Sequence, residues 1–259
     1  MALISCDFFS GALRMGTSMT VVLPEVEREL DDGEVAVERP ADPPVLYLLH
    51  GLSDDHTSWL RWTSAVRYAE QAGIALVMPA VARSFYADEV HGHRYWEFVS
   101  EELPEVTRDF FGLSQHPSST FVAGLSMGGY GAMKLALHHP ERFAAAASFS
   151  GVLDLARTLA RPDREEVKER VFGDAVGPSD DLLPLLDQQR LPRLWVGCGT
   201  EDRLHPANEE FVERARAAGH DVTVDFRPGD HTWDLWDTFL GLAVPWMSDR
   251  VSNSDAAGG

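Results

Sequence analysis

The sequence predicts an α/β protein: a mostly parallel central sheet with helices on both faces. From residue 45 onward, short unbroken apolar runs alternate with stretches of helical spacing. Continuous apolar runs are typical of strands covered on both faces, as in parallel sheets with crossover helices. A G-x-S-x-G motif at residues 124–128 follows one such run and precedes a helical stretch. A serine at a strand-to-helix turn is the arrangement of the α/β-hydrolase fold.

The order of elements supports this fold. Two β-prone runs come before any helix, so we expect them to pair antiparallel at one edge of the sheet. Asp31-Asp32-Gly33 predicts a hairpin turn between residues 24–30 and 35–38. The predicted strands are residues 4–9, 18–23, 45–49, 75–78, 120–125, 144–149, 194–197 and 222–226, and the predicted helices are 59–72, 96–111, 128–138, 207–218 and one after Thr232.

The length of 259 residues fits a single domain spanning 1–259, because α/β folds often reach this size. Residues 154–192 interrupt the alternation of strands and helices. This segment is charged and helical at first and then carries Gly173, Gly177 and Pro178. We interpret it as a small insertion after a strand, lying over the active site.

The chain is strongly acidic, with 41 acidic and 22 basic residues and a formal net charge of −19. Such a charge repels nucleic acid and anionic membranes, so neither is expected as a partner. No run approaches the roughly 18 apolar residues that span a bilayer. The first residues lack the basic and apolar regions of a signal peptide, which predicts a cytoplasmic protein.

Two cysteines, Cys6 and Cys198, are too few for a disulfide framework. Cys198 ends an apolar run and is expected to be a buried free thiol. His91 and His93 have no further ligand set nearby, so we interpret them as loop or pocket residues. No metal and no cofactor is predicted.

Ser126, at the centre of the G-x-S-x-G motif, is the predicted nucleophile. A sharp turn lifts the serine hydroxyl clear of the sheet, and Gly124 and Gly128 allow strand and helix to cross closely. A serine hydroxyl needs a histidine base, and in this fold the chain order is serine, acid, histidine. This order leaves His205, His220 and His231.

His231 is the preferred base because it follows a predicted strand and a Pro-Gly turn, at the edge where α/β sheets bind ligands. The acid should follow the strand at residues 194–197, where Glu201 and Asp202 are both available. Asp202 is preferred, because a short carboxylate deeper in the loop can fix the imidazole tautomer. Asp230 adjoins the histidine and is interpreted as a helix N-cap or dipole partner.

An oxyanion hole requires two N–H donors. One is expected from Met127, the residue after the nucleophile, and the other from Leu52, where Gly51 lets the backbone turn inward. The substrate-pocket candidates are Gly51, Trp59, Tyr86 and Trp233, with Trp236 also considered. Packing in the core is an equal or better interpretation of each aromatic residue.

Several motifs occur together along the chain: LLHGLS from residue 48, SWL from 58, ELP from 102, GLSMGGYG from 124 and ASFSG from 147. This combination resembles the esterase D family, which includes S-formylglutathione hydrolases and tributyrin esterases, over about residues 8–246. VMP from residue 77 and FYAD from residue 85 are similar to the tributyrin esterase branch. Ser53-Asp54-Asp55 stands where S-formylglutathione hydrolases carry a Thr-Cys-Thr-like stretch, which departs from a glutathione signature.

The resemblance implies a serine carboxylesterase that cleaves small esters, such as short-chain acyl and acetyl esters, through an acyl-enzyme. It also implies Ser126, Asp202 and His231 as the triad, and self-association into a homo-oligomer. The alternatives are an S-formylglutathione hydrolase, an acyltransferase to a sugar, and a binding module that keeps the fold without catalysis.

Overall fold

A computed structural model of the chain describes residues 1–29, 34–187 and 190–249. Its strands are β1 (Ala2–Ser10), β2 (Met15–Leu23), β3 (Val26–Glu29), β4 (Val35–Glu38), β5 (Val45–Leu49), β6 (Ala75–Pro79), β7 (Thr120–Leu125), β8 (Ala145–Phe149), β9 (Arg193–Gly199) and β10 (Val222–Arg227).

The α-helices are α1 (Ser58–Trp62), α2 (Ala65–Ala72), α3 (Tyr95–Glu97), α4 (Leu103–Phe111), α5 (Met127–His138), α6 (Leu155–Leu159), α7 (Glu165–Phe172), α8 (His205–Ala217) and α9 (Trp233–Ser248). A π-helical segment, Phe98–Glu102, joins α3 to α4. Short 3₁₀ turns are Pro117–Ser119, Pro140–Arg142, Pro162–Arg164 and Leu183–Asp187.

Eight strands form one sheet in the order β1-β2-β6-β5-β7-β8-β9-β10. The six strands from β6 to β10 in that order run parallel, whereas β1 and β2 pair antiparallel at the edge. Every residue of the four strands β5 to β8 is buried, as their continuous apolar sequences require. The α/β-hydrolase fold predicted from the sequence is therefore confirmed.

Helices cover both faces of the sheet, and each face has its own apolar core. On one face α1, α2 and α9 pack around Trp59 and Phe239. On the other face α4, α5 and α8 pack around Tyr130 and Phe211. Among the described residues, no helix combines the length and the apolar character needed to cross a membrane.

Two of the predicted helices are interrupted. The stretch 59–72 divides into α1 and α2, because the backbone N–H of Ser64 donates to Asp237 of α9 at 2.8 Å instead of continuing the helix. The stretch 96–111 contains the π-helical segment. Pro104 lacks the N–H that an α-helix would direct at the Ser100 carbonyl, and the Arg142 guanidinium donates to that oxygen instead.

The predicted hairpin is present as the antiparallel pair β3 and β4, while the turn Asp31-Asp32-Gly33 lies outside the described residues. The segment after β8 contains α6 and α7. Asp180, beyond α7, ties this segment to α5, because its Oδ1 lies 2.6 Å from Lys134 Nζ. Lys134 is buried, and its ammonium also donates to the Tyr86 carbonyl at 3.2 Å and lies 4.5 Å from the centre of the Trp96 ring.

Replacing Lys134 by Met should lower the free energy of unfolding by about 3 kcal/mol, since Asp180 would remain largely buried without its cation. Lys168→Met on α7 is the control, because that side chain is only partly buried. Urea unfolding measures both variants. Equal stability of Lys134→Met and the wild-type protein would contradict this role for the ion pair.

Candidate active site

Ser126 occupies the turn between β7 and α5 with φ 53° and ψ −114°, in the positive-φ region that side chains rarely adopt. Backbone hydrogen bonds hold it there: its N–H donates to the Phe149 carbonyl at 2.9 Å, and its carbonyl accepts from Tyr130 and Val152, each at 3.1 Å. A strained residue persists only where its surroundings fix it in this way. The turn therefore presents the hydroxyl at the carboxyl end of the sheet.

The structure brings the three predicted triad residues together. Ser126 Oγ lies 3.1 Å from His231 Nε2, and His231 Nδ1 lies 2.6 Å from Asp202 Oδ2. A carboxylate only accepts hydrogen bonds, so Nδ1 carries the proton and Nε2 is left to accept from the serine hydroxyl. This geometry can take a proton from the serine during attack on a carbonyl carbon.

Asp202 is buried, and both its carboxylate oxygens are paired, since Oδ1 accepts from the Leu204 N–H at 2.9 Å. Burial alone would raise the pKa of this carboxyl, but the hydrogen bond and the nearby charge of His231 outweigh it and lower the pKa. Glu201 faces away, with its carboxylate on Thr200 and the Gly229 N–H. The carboxylate beside His231 is therefore that of Asp202.

The other candidates are engaged elsewhere. The ring of His205 packs on Phe226 with centroids 4.8 Å apart, and His220 Nε2 donates to the Leu186 carbonyl at 2.7 Å. The interpretation of Asp230 as an N-cap is wrong, because Thr232 is the N-cap of α9. The Asp230 carboxylate instead accepts from the backbone N–H of His231 at 2.7 Å.

The turn after β5 is fixed through its carbonyl groups. Trp59 Nε1 donates to the Leu49 carbonyl at 3.1 Å, and the Tyr86 hydroxyl donates to the His50 carbonyl at 3.0 Å. The Gly51 carbonyl accepts from the His50 ring at 2.7 Å. Side chains thus hold three successive carbonyls, which sets the direction of the amide groups that follow.

His50 can play this role only as a neutral ring. Burial lowers its pKa to about 4, so the imidazole is uncharged near neutral pH. Its Nε2 accepts from the Val81 N–H at 3.2 Å, which leaves Nδ1 protonated and able to donate to Gly51. One buried histidine therefore connects the loops after β5 and β6.

The amides of Leu52 and Met127 have no hydrogen-bond acceptor within the part of the chain that the structure describes. Both residues line a small recess that also contains Ser126. Met127 opens α5, where the first-turn N–H groups have no partner within the helix. Two unpaired donors beside a serine hydroxyl can bind an oxyanion formed there.

Two spaces with four lining residues in common adjoin the serine. The larger cavity, of about 480 Å³, is lined by Gly51, Leu52, Ser53, Asp54, Arg83, Leu125, Ser126, Arg164, Arg203, His231, Trp233 and Trp236. The inner recess, of about 30 Å³, is lined by Leu52, Phe85, Ser126, Met127, Val152, Thr158, Arg164, Arg203 and Leu204. His231 lines the larger cavity and is not among the residues that line the recess.

Among the pocket candidates, Gly51 and Trp233 line the larger cavity, whereas Trp59 and Tyr86 do not. Both of these side chains are fully buried, with their polar atoms on the carbonyls of the turn after β5. Their assignment to the pocket is therefore corrected: they support the turn from behind. Trp236 lines the cavity and packs edge-on against the His231 ring, with centroids 4.8 Å apart.

Sequence reasoning missed four charged residues of the cavity: Asp54, Arg83, Arg164 and Arg203. Arg83 and Arg203 could have been found, because each follows the carboxyl end of a strand, where α/β sheets bind ligands. Arg164 lies in a short 3₁₀ turn after α6, and no motif in the sequence marks it. Burial raises the pKa of Asp54.

Cys198 is fully buried and free, as predicted, and burial raises the pKa of its thiol to about 12. A thiol of this pKa is inert as a nucleophile near neutral pH. Within the described residues, no group of three or more His, Cys, Asp or Glu side chains has the arrangement of a metal site. His93 Nδ1 instead donates to the Leu13 carbonyl at 2.9 Å.

The glycine at 128 allows β5 and α5 to approach. A Cβ added to Gly128 would lie 2.6 Å from the carbonyl carbon of Leu49, which is backbone and cannot move aside. We expect Gly128→Ala to lower the free energy of unfolding by more than about 3 kcal/mol, or to prevent soluble expression. Gly16→Ala is the control, because nothing lies within 4 Å of its added Cβ. Thermal unfolding and soluble yield measure both, and unchanged values for Gly128→Ala would contradict the close approach.

The chain matches the family model described as "Putative esterase" over residues 31–247. An acetyl esterase of Caldicellulosiruptor saccharolyticus is 30% identical, across 98% of this chain and 100% of that protein. FphF, a fluorophosphonate-binding serine hydrolase of Staphylococcus aureus, is 32% identical with a TM-score of 0.86, across 95% of this chain and 98% of the other.

An S-formylglutathione hydrolase of the same organism, FrmB, is 32% identical with a TM-score of 0.82 and the same coverage of 95% and 98%. These similarities extend over nearly the whole chain and agree with the esterase D resemblance in its motifs. The chain therefore belongs to the esterase family and is a serine hydrolase of the α/β-hydrolase fold.

Proposed function

We propose that this carboxylesterase cleaves short-chain acyl esters, of acetyl size, through an acyl-enzyme on Ser126. The observation that carries the proposal is the hydrogen-bonded series Asp202–His231–Ser126 beside a recess of only about 30 Å³. A recess of that size holds a group of roughly water-to-methyl dimensions. The similarity to a protein named as an acetyl esterase supports the same acyl size.

In the first step, His231 Nε2 takes the proton of the serine hydroxyl as Oγ attacks the ester carbonyl. The acyl group enters the recess and the alcohol lies in the larger cavity, because the leaving oxygen must meet the proton on His231. Asp202 stabilises the imidazolium that forms, and its lowered pKa keeps it ionised for this role.

The oxyanion that develops on the carbonyl oxygen accepts hydrogen bonds from the N–H groups of Leu52 and Met127. Each such donor is worth about 3 kcal/mol of transition-state stabilisation. Collapse of the tetrahedral intermediate releases the alcohol, which leaves with the proton from His231. Water, deprotonated by the same ring, then attacks the acyl-enzyme and releases the acid.

We expect Ser126→Ala to reduce kcat for p-nitrophenyl acetate by at least about 10⁴-fold, since the covalent route is lost. The variant should also lose labelling by a fluorophosphonate probe, while Ser5→Ala on the exposed side of β1 should keep both properties. An unlabelled wild-type protein, or an active Ser126→Ala variant, would contradict the proposal.

Two comparisons on wild-type protein test which acyl lengths are accepted and whether the bond that is cleaved is an ester or a thioester. The kcat/KM values for p-nitrophenyl esters should fall from acetate to octanoate, because a recess of about 30 Å³ has room for only the first carbons and charged side chains border it. A strong preference for S-formylglutathione over p-nitrophenyl acetate would make thioester hydrolysis the function, which is the activity named for one structural neighbour.

Asp202→Asn should lower kcat by about 10⁴-fold with little change in stability, because an amide favours the wrong imidazole tautomer. Glu201→Gln is a matched control: it removes a neighbouring carboxylate that contacts Thr200 and Gly229 rather than the histidine. Steady-state kinetics and thermal unfolding measure both. Equal losses of kcat in the two variants would contradict the distinct roles of these acids.

A further inference from the structure

Three arginines border the serine from three separate segments, and we call them the arginine cluster: Arg83 after β6, Arg164 after α6 and Arg203 after β9. They lie in a chain of net charge −19, where cations are outnumbered almost two to one. Whether these arginines can bind an anion depends on how far carboxylates of the protein neutralise them.

Carboxylates of the protein neutralise the cluster only in part. Arg203 has no ion-pair partner among the residues described by the structure. Arg164 has Asp163 at 3.6 Å, but that carboxylate also binds Arg161 at 3.0 Å. Among the described residues, neither Arg164 nor Arg203 therefore has a carboxylate partner that it does not share.

The remaining member, Arg83, pairs with Glu166 at 3.2 Å, and both side chains are largely exposed. Glu166 also binds Arg170 at 3.2 Å, but Arg170 has a second partner in Glu89. The charge of Arg83 is therefore balanced, and the unbalanced positive charge of the cluster lies on Arg164 and Arg203.

The guanidinium groups lie close enough to act on one another. Burial is the main cause that lowers the pKa of Arg164, and Asp163 opposes this effect. The positive charges of Arg161, Arg203 and Arg83 lower the pKa further. An arginine remains charged despite such a shift, so the repulsion persists until an anion enters.

Asp54 is the acidic residue among those that line the larger cavity outside the triad. Burial is the main cause that raises its pKa, and the charges of Arg61 and His231 oppose this effect. The lining therefore carries three arginines against this one carboxylate.

The position of the cluster assigns the anion to one half of the ester. Arg164 and Arg203 line the inner recess as well as the larger cavity. The lining of the recess includes Ser126, Leu52 and Met127 but not His231, which is the arrangement expected for the acyl half. The free end of a short acyl chain that starts in the recess would therefore lie near two guanidinium groups.

We propose that the preferred substrates are monoesters of short dicarboxylic acids, whose free carboxylate binds Arg164 and Arg203 while Ser126 attacks the esterified end. Guanidinium groups suit this task, because their paired N–H donors match both oxygens of a carboxylate. The inference rests on the proposed esterase function and adds to it a carboxylate that follows the first carbons of the acyl group. The alcohol half of the ester lies in the larger cavity.

The test compares two esters that differ in charge alone. Monoethyl succinate carries the carboxylate, and ethyl 4-oxopentanoate replaces it by a methyl ketone of similar shape. Ethanol release should give wild-type kcat/KM at least about tenfold higher for monoethyl succinate, as for one charge-assisted hydrogen bond. This preference should shrink as sodium chloride is raised, because salt screens partly exposed charges.

Arg164→Gln and Arg203→Gln should each remove most of that preference, a loss of up to about tenfold, while the neutral ester changes by less than about threefold. Arg157→Gln is the matched control, since it removes an exposed arginine of α6 that does not line the cavity. A wild-type preference for the neutral ester, or a preference that survives in both variants, would overturn the inference.

A second pair of esters tests the assignment to the acyl half. In 4-acetoxybenzoate the carboxylate lies on the leaving group, and its methyl ester is the neutral partner. An arginine-dependent preference for 4-acetoxybenzoate without one for monoethyl succinate would overturn the assignment. If the neutral esters are cleaved in a Ser126-dependent way but charge has no effect, the esterase function stands and this inference fails. If no ester is cleaved, both fail.

Discussion

The site depends on one close backbone contact, between the turn after β5 and the first turn of α5. Gly128 permits it, because any side chain there would overlap the Leu49 backbone. Once these elements meet, the amides of Leu52 and Met127 line the same recess as the Ser126 hydroxyl. Three carbonyls held by Trp59, Tyr86 and His50 keep the turn in place. The donors are thus oriented before substrate arrives, which is what electrostatic stabilisation of a transition state requires.

The sequence was informative where local pattern and global fold agree. Unbroken apolar runs predicted the parallel strands, and the position of Ser126 between a strand and a helix predicted the turn that the structure contains. The choice of Asp202 over Glu201 rested on depth in the loop, and the structure places the buried Asp202 carboxylate beside His231. Trp59 and Tyr86 were candidates for the pocket, but the structure buries both behind the turn after β5, where their polar atoms donate to carbonyls of other segments. No periodicity reveals such a partner.

Net charge proved a poor guide to the site. A formal charge of −19 predicts repulsion of nucleic acid and anionic membranes, yet three arginines line the cavity beside Ser126. Charges separated by more than a Debye length of about 8 Å are screened in physiological salt, so distant surface carboxylates act weakly on a bound ligand. The groups within that distance decide which charge the cavity accepts. The three arginines come from separate segments, so only the folded chain brings them together.

Two sets of residues surround Ser126: one set takes part in or supports the reaction, and the other selects the substrate. The reacting groups and the residues that position them are held by the backbone and the core: Asp202 is buried, His231 packs against Trp236, and the buried His50 holds the turn after β5. The arginine cluster lies on loops and short turns, where side chains can change without disturbing either core. Substitutions in the first set should alter the rate for every ester, whereas those in the second should alter which ester is chosen. Family members can therefore keep one mechanism while the loops around it select different substrates.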